Sequence, residues 1–279
     1  MRNFLLTSFA LTAFAFNSIL CRLALRGDEI DAASFTAVRL VSGAIMLIVI
    51  SFIVTKGRRI ASDGSWLSAG LLFGYAVCFS FAYLGLSAGT GALILFGSVQ
   101  LTVIVNALAG GERPKILEWL GLLTAIAGLV YLVFPGLASP PLYSSALMAA
   151  AGMAWGMYTV RGRSAGGPLR NTTGNFVRTI PFAAVVAIVF LSQTHLSNRG
   201  VMLAVLSGSI ASGIGYTIWY MALKYHTSTR AAVLQLVVPV ITAVGGILIL
   251  GEAATLRLGL AAALILGGIM LSIFGRKVE

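Results

Sequence analysis

The chain has 279 residues, of which 58% are hydrophobic and only 10% are charged, and its mean hydropathy is +0.97. A soluble domain carries about 25% charged residues, so this composition excludes a soluble globular protein and indicates one surrounded mostly by lipid. The net charge of +11 comes from short basic stretches between apolar runs, which favours the anionic inner face of a membrane over nucleic acid as a partner.

Apolar runs long enough to cross a bilayer follow one another along the chain. A hydrocarbon core about 30 Å thick requires roughly 20 helical residues, and runs of this length exclude a β-barrel. The sequence therefore predicts an all-α membrane protein with ten transmembrane helices. The predicted spans are 3–22, 34–54, 66–86, 90–109, 117–134, 142–161, 173–192, 201–222, 230–250 and 256–274.

The first apolar run is predicted to be a retained helix. One arginine precedes it, no small-x-small cleavage pattern follows it, and Leu20 is too large for a lipoprotein signal before Cys21. The two cysteines, Cys21 and Cys78, have no Cys/His spacing that would predict a metal site or a disulfide framework. No cofactor is predicted either.

The distribution of lysine and arginine predicts the orientation in the membrane. If the amino terminus lies inside, the inside segments hold 13 of these residues and the outside loops hold 4, while Arg39 and Arg178 lie within helix starts. Basic residues concentrate on the cytoplasmic side of membrane proteins. We therefore expect a multi-pass protein of the cell inner membrane with both termini in the cytoplasm.

Two long stretches of the chain follow the same pattern. Tyr83–Glu112 and Tyr220–Glu252 each begin with Tyr-x-x-Leu, contain one glutamine (Gln100 or Gln235), and end on Gly-Glu. Shorter matches, such as Val38-Arg39 with Val177-Arg178, recur at an offset of 139 residues. Each half has five helices, and an odd number means that the second half enters the membrane from the opposite side. The sequence thus predicts inverted repeats, an architecture typical of alternating access with a binding site at the midplane.

Ten helices in two sets of five, with Gly-Glu before a Gly-rich last helix in each set, resemble the drug/metabolite transporter superfamily. Within it, the chain resembles the EamA-like family and its bacterial aromatic amino acid exporters. The resemblance covers the whole chain and implies two EamA-like repeats, residues 1–135 and 141–279, and an exporter of small solutes. Pro239, thirteen residues before its Glu, is the expected hinge, whereas the first half has Val99 at the corresponding place.

Aromatic and amide side chains in the predicted helices indicate a central cavity. Tyr75, Phe79 and Tyr83 share one helix face at a spacing of four residues, as do Tyr216 and Tyr220. Lipid cannot satisfy phenol and amide groups, so they are expected to turn inward; Tyr83 and Tyr220, near helix ends, are alternatively interface anchors. The predicted substrate-binding residues are Asn17, Tyr75, Phe79, Tyr83, Gln100, Trp155, Tyr158, Tyr216, Tyr220 and Gln235.

Arg39 and Arg178 are the charges inside predicted helices. A charge in a membrane helix usually faces the protein interior or water, so one interpretation places each arginine at a mouth of the transport pathway, where it attracts a carboxylate. The alternative is snorkelling towards the interface, with Arg39 paired to Asp28, Glu29 or Asp31.

The positions of the acidic residues and histidines bear on energy coupling. They fall in loops or at helix ends, so the sequence lacks the midplane carboxylate or histidine of a proton relay, and it has no P-loop for ATP. These features predict a facilitator or exchanger with an uncharged aromatic cavity for amino acids or amphiphilic metabolites. Ten helices suffice to build both halves in one chain, so a monomer is expected. Efflux of cationic drugs and a solute channel are the alternatives, whereas no catalytic pattern indicates an enzyme.

Overall fold

A computed structural model of the protein describes residues 2–56, 63–110, 115–134, 136, 139–163, 167–223, 225–226 and 234–275. These residues form ten long helices. They are α1 (Arg2–Arg26), α2 (Ala32–Val54), α3 (Trp66–Ala82), α4 (Ala88–Ala109), α5 (Ile116–Val133), α6 (Leu142–Arg163), α7 (Pro168–Val189), α8 (Asn198–Leu223), α9 (Val237–Leu250) and α10 (Leu256–Gly275).

The predicted all-helical membrane fold is confirmed. Seven of these helices are long and apolar enough to cross a membrane, and α3 and α9 are shorter apolar helices of 17 and 14 residues. The first residues of the predicted ninth span, 230–233, lie outside the described residues. Large hydrophobic side chains such as Ile53, Ile116 and Leu248 are exposed on the outer surface, as expected of a protein whose solvent is lipid.

Polar capping residues begin several of the helices. Ser65, Ser87 and Ser197 precede α3, α4 and α8, and each side-chain hydroxyl accepts a hydrogen bond from a backbone N–H in the first turn. Such caps satisfy donors that have no partner inside the helix. Within α8, Ser207–Ile214 form a π-helix, which shifts the register of the side chains that follow.

Asp31 caps α2 and also ties two connections together. Its carboxylate accepts hydrogen bonds from Ser34 N at 2.9 Å and from His195 N at 3.0 Å. Partial burial raises the pKa of Asp31, but the hydrogen bonds from Ser34 and His195 outweigh it and lower the pKa below its ordinary value of 3.8.

We expect Asp31→Asn to lower the melting temperature at neutral pH, and the difference from wild type to shrink as the pH falls below 3.8. The folded pKa is the lower one, so the carboxylate stabilises the fold above the unfolded pKa, and this contribution is lost as the pH falls through the folded pKa. Melting of the detergent-solubilised protein across this range measures it. Asp28→Asn, an exposed neighbour, is the control; a difference that persists unchanged in acid contradicts the prediction.

The helices pack in a pattern that is unchanged when the two halves are exchanged. The equivalent helices α2 and α7, α4 and α9, and α5 and α10 pack on each other. The other main contacts occur in matching pairs: α1–α8 with α3–α6, α1–α9 with α4–α6, and α2–α8 with α3–α7. This is the packing that a twofold relation between two five-helix repeats produces.

The helix ends form two faces of the bundle. The first turns of α1 lie on the amino-end face, where Thr7 Oγ1 is 2.8 Å from His226 Nε2 beyond the end of α8. At the other end of α1, Arg26 donates a hydrogen bond to the carbonyl of Leu250 at the end of α9. Pro141, just before α6, lies on this opposite face, since it lines one pocket with Arg26. Helices α1 and α6 therefore start on opposite faces, which is the predicted inversion.

Candidate functional site

A small cavity lies at the centre of the bundle. Its volume is about 10 Å³, roughly the space that one water molecule needs, so in this conformation the centre is too small for a solute. The cavity is lined by Phe14, Asn17, Ser18, Tyr75, Phe79, Leu95, Phe96, Trp155 and Tyr216.

Trp155 contacts the rings of four other aromatic residues at or beside the cavity. Its ring centroid is 4.7 Å from that of Tyr216, 5.0 Å from that of Tyr75 and 5.4 Å from that of Tyr158. Phe14 meets it edge-on at 6.4 Å. Tilted and edge-to-face arrangements such as these are the favoured geometries of aromatic pairs. Helices α1, α3, α6 and α8 thus contribute rings to one continuous cluster.

Arg39 lies against this cluster and is 2% exposed. Its Nη2 donates hydrogen bonds to the hydroxyls of Tyr75 at 3.0 Å and Tyr216 at 3.3 Å, and its Nε donates to Ser212 Oγ at 3.3 Å. The guanidinium carbon is also 4.9 Å from the centroid of the Phe79 ring. The positive charge of Arg39 therefore lies behind the residues that line the cavity, level with the middle of α3 and α8.

Both sequence interpretations of Arg39 require correction. It is not at a mouth of the bundle, and it does not pair with the loop acids: Glu29 pairs with Arg199 at 3.3 Å, and Asp31 caps α2. The residues that line the cavity are uncharged, as predicted, but the guanidinium of Arg39 lies directly behind them and donates hydrogen bonds to the two tyrosines of the lining. The physical reason is the length of the Arg39 side chain, which extends from the second turn of α2 to the centre of the bundle.

Arg178, the repeat equivalent of Arg39, has different surroundings. Its Nη1 donates to the backbone carbonyls of Asp63 at 3.0 Å and Gly174 at 2.9 Å. The guanidinium also lies over the ring of Trp66 at 6.0 Å. Arg178 therefore joins the start of α3 to α7 near the amino-end face, and the two halves differ at this position.

Asn17 extends the polar network into the cavity. Its Nδ2 donates to the Tyr75 hydroxyl at 3.2 Å, and its Oδ1 accepts from Ser207 Oγ at 2.5 Å. The Tyr75 oxygen thus accepts hydrogen bonds from both Asn17 and Arg39.

Two larger pockets, here called vestibules, lie at opposite faces. The amino-end vestibule, about 490 Å³, is lined by Tyr158, Arg161, Asn175 and Tyr220 among others. The opposite vestibule, about 430 Å³, is lined by residues that include Arg22, Arg26, Glu252 and Arg257. Both fall in the range of 300–1,000 Å³ that is typical of small-molecule sites.

Tyrosines stand between the centre and each vestibule. Tyr158 lines the amino-end vestibule and stacks on Trp155, while Tyr83 meets the cavity residue Phe79 edge-on at 4.8 Å. Tyr83 is 0% exposed and Tyr220 is 8% exposed, so neither side chain has the exposure of an interface anchor.

An ion pair lies beside Tyr83 at the opposite face. Arg22 Nε is 3.4 Å from Glu252 Oε1, and Arg22 Nη1 donates to the carbonyl of Tyr83 at 2.8 Å. Both oxygens of Glu252 accept from Ala88 N, at 3.0 and 2.9 Å. This cluster joins the end of α1, the connection between α3 and α4, and the end of α9.

Five of the predicted substrate-binding residues are not among those that line the central cavity, and neither is Pro239; the five are Tyr83, Gln100, Tyr158, Tyr220 and Gln235. Gln100 and Gln235 are nevertheless buried. Pro239 is the third residue of α9, where its missing N–H interrupts no helical hydrogen bond, so its role as a hinge stays a prediction. Four lining residues were not predicted from the sequence: Phe14, Ser18, Leu95 and Phe96. Of these, only Phe14, three residues before Asn17, and Ser18, four residues after Phe14, had a spacing that could have indicated them.

The sequence pattern of the EamA-like transporter family matches residues 2–134 and 142–274. The chain belongs to the EamA-like transporter family. It is therefore a multi-pass membrane transporter rather than an enzyme, and the resemblance to the drug/metabolite transporters is confirmed. The paired matches agree with the two inverted five-helix repeats.

Relatives of this EamA-like transporter include an uncharacterized protein of Pseudomonas aeruginosa, 48% identical over 97% of this chain and 94% of the relative. A "Probable amino-acid metabolite efflux pump" of Escherichia coli is 26% identical over 74% of this chain and 77% of the relative. A threonine/homoserine exporter of Salmonella typhimurium is 29% identical over 81% of this chain and 76% of the relative. A solved crystal structure shares the fold with a TM-score of 0.67, at 20% identity over 98% of both chains.

Proposed function

We propose that this transporter exports amino acids with aromatic or apolar side chains, and related amphiphilic metabolites, across the cell inner membrane by alternating access. The observation that carries the proposal is the arrangement of two solute-sized vestibules at opposite faces, separated by an aromatic cavity of about 10 Å³. In this arrangement a solute passes only if the halves move relative to each other. Inverted repeats provide that motion by exchanging the conformations of the two halves.

The lining of the pathway suits an amphiphilic solute. The rings of Tyr75, Trp155 and Tyr216 offer apolar faces to a side chain, while Asn17 and the phenol groups offer neutral hydrogen bonds. The relatives named as an amino-acid metabolite efflux pump and a threonine/homoserine exporter support the same class of solute and the outward direction.

Arg39 argues against the alternative of cationic drug efflux. A lipophilic cation in the central cavity would meet a fixed positive charge across the ring of Tyr75, and like charges repel strongly at low dielectric. The described acidic residues lie in connections or at helix ends, so no central carboxylate offsets that charge. We therefore favour amino acids, with the basic amino-end face in the cytoplasm as the lysine and arginine bias suggests.

Counterflow in proteoliposomes tests this proposal. Vesicles loaded with unlabelled phenylalanine are expected to accumulate labelled phenylalanine transiently and saturably, because a carrier exchanges solutes across the membrane. Leucine and a lipophilic cation serve as competitors, and we expect leucine to compete and the cation to have no effect. Absence of counterflow with every amino acid would reject the solute class, and ohmic current would indicate a channel.

Energy coupling is tested in the same vesicles with an imposed pH gradient. We propose a facilitator or exchanger, so the gradient is expected to leave steady-state accumulation unchanged. Accumulation driven by the gradient would contradict that part of the proposal while leaving the solute class intact.

A further inference from the structure

We propose that Arg39 is the binding site for a carboxylate of the transported solute, and that the transporter distinguishes its substrates by this group. This inference deepens the proposed function, because it names the chemical feature that the central site recognises. The observations that carry it are the burial of Arg39, its unsatisfied donor atom and its position behind the cavity wall.

Arg39 is a buried charge without a counter-ion among the described residues. Its hydrogen-bond partners are the hydroxyls of Tyr75, Tyr216 and Ser212. It forms no ion pair with an aspartate or glutamate in the described part of the chain. An uncompensated buried charge is costly to fold, and inside a membrane such residues mark solute pathways. A structural bond between helices would be made at less cost by a neutral side chain.

The guanidinium also has donors to spare. Its Nη1 atom is buried and has no hydrogen-bond partner in the structure. The groups that accept from Arg39 are neutral hydroxyls, each of which can both donate and accept a hydrogen bond. The guanidinium therefore has an unused donor and no anionic acceptor among the described residues, and an anionic oxygen is the acceptor that would complete its hydrogen bonding.

The geometry selects a carboxylate among the possible anions. A planar guanidinium forms paired hydrogen bonds with a carboxylate, and the aromatic cavity next to it accepts an apolar side chain. A phosphate or sugar nucleotide would require several basic groups, whereas among the described residues Arg39 is the one basic side chain that bonds residues of the cavity lining. The cavity of about 10 Å³ must widen for the solute to enter, which brings the Tyr75 and Tyr216 hydroxyls into reach.

Two close helix contacts hold Arg39 in this position. A Cβ added at Gly208 would lie 2.1 Å from the carbonyl oxygen of Arg39, and one at Gly43 would lie 2.7 Å from the ring of Phe176. The absence of these side chains lets α2 approach α8 and α7 closely. This approach places Ser212, beyond the start of the π-helical segment, within hydrogen-bond distance of Arg39 Nε.

Ligand binding to the purified protein tests the assignment independently of transport. Thermal stabilisation or equilibrium binding is measured with four probes: phenylalanine, phenylacetate, phenylalaninamide and phenethylamine. For the wild type we expect the two carboxylates to bind about 10- to 100-fold more tightly than the two probes without one, which is the usual worth of a charge-assisted hydrogen-bond pair. Arg39→Gln is expected to reduce this ratio to within about threefold.

Two further variants separate recognition from folding. Arg178→Gln removes the repeat-equivalent arginine, which bonds backbone carbonyls, and is expected to preserve the carboxylate ratio. Arg39→Lys keeps the charge without the planar fork, so it is expected to weaken carboxylate binding about tenfold yet retain a preference for carboxylates. If Arg39→Gln does not fold, Arg39→Lys decides, and unchanged carboxylate affinity in this variant overturns the proposal.

The outcomes distinguish this inference from the proposed function. Arg39-dependent carboxylate binding without amino acid counterflow would support the site and reject amino acid export. Counterflow with equal affinity for phenylalanine and phenylalaninamide, or with a carboxylate ratio unaltered by Arg39→Gln, would support export and reject the site. Loss of stability in Arg39→Gln with an unchanged ratio would show a purely structural arginine and would also reject it.

Discussion

Gly268→Ala is expected to lower the free energy of unfolding by about 2 kcal/mol or more, because no space exists for a methyl group between α5 and α10. A Cβ at Gly268 would lie 2.5 Å from Ala125 N and 2.6 Å from the carbonyl oxygen of Gly121. Both contacts are with backbone atoms, which no side-chain rotation can relieve. The two helices must therefore separate or shift.

The reverse contact is equally close. A Cβ at Gly121 would lie 2.4 Å from Ser272 N and 2.5 Å from the carbonyl oxygen of Gly268. Small residues four positions apart thus face each other, Gly121 and Ala125 on α5 and Gly268 and Ser272 on α10, as in tightly packed membrane helix pairs. Because α5 and α10 end the two repeats, loss of this contact loosens the joint between the halves.

Gly267→Ala is the matched control, one residue earlier on the same helix. A Cβ there has nothing within 4 Å, and alanine is favoured over glycine inside a helix by up to about 1 kcal/mol. We expect equal or greater stability for this variant and a clear loss for Gly268→Ala, measured by unfolding in mixed micelles. Equal stability of the two variants would contradict the packing of α5 on α10.

The number and type of helices were predictable because lipid imposes a simple length requirement on apolar runs. The ends were less so where polar residues enter the bundle. The seventh span was predicted from residue 173, yet α7 begins at Pro168, because Asn171 and Thr172 face the amino-end vestibule instead of marking a loop. Span three was predicted to reach residue 86, but α3 ends at Ala82.

Helical spacing also predicted part of the candidate site. Tyr75 and Phe79, four residues apart, both line the central cavity. The expectation that polar groups turn inward correctly predicted that Gln100 and Gln235 are buried. It was not enough to predict whether they line the cavity, and neither does. Periodicity specifies which side of a helix is buried, whereas the neighbour that it meets depends on packing.

The depth of Arg39 lay beyond sequence reasoning for the same reason. Its repeat equivalence to Arg178 suggested similar roles, but the two guanidinium groups contact tyrosines in one case and backbone carbonyls in the other. The π-helical segment of α8 changes the register of the side chains that follow it, including Tyr216, and no local sequence pattern predicted it. The different surroundings of these two repeat-equivalent arginines are thus set by tertiary packing, which the sequence pattern does not specify.

Glu252→Gln is expected to shift the transporter towards a conformation open at the opposite face, and to raise the thiol reactivity of Cys21 by about 30-fold or more. The Glu252 and Arg22 side chains are only 10% and 17% exposed, and breaking a largely buried pair by neutralising one partner costs roughly 2–3 kcal/mol, between the values for exposed and fully buried pairs. A cost of this size changes a two-state equilibrium by that factor.

The cluster of Arg22, Glu252 and their backbone partners is placed to keep the bundle closed at the opposite face. Arg22 bonds the Tyr83 carbonyl, and Glu252 bonds Ala88 N at the start of α4, where a negative charge is favoured by the helix dipole. The contacts of Glu252 with Arg22 and Ala88 join the two halves, so under alternating access they must break when the opposite face opens. Cys21, adjacent to Arg22 and 0% exposed, reports that opening through its reaction with a maleimide in a Cys78→Ser background.

Arg199→Gln provides the control on the same face. Arg199 and Glu29 are 3.3 Å apart, with side chains 60% and 23% exposed, and such pairs contribute about 0–1 kcal/mol. Its removal is therefore expected to leave Cys21 reactivity within about threefold of wild type. If Glu252→Gln lowers the melting temperature without exposing Cys21, the ion pair only stabilises the fold; if it exposes Cys21 and slows counterflow, breaking the pair is a step of the transport cycle.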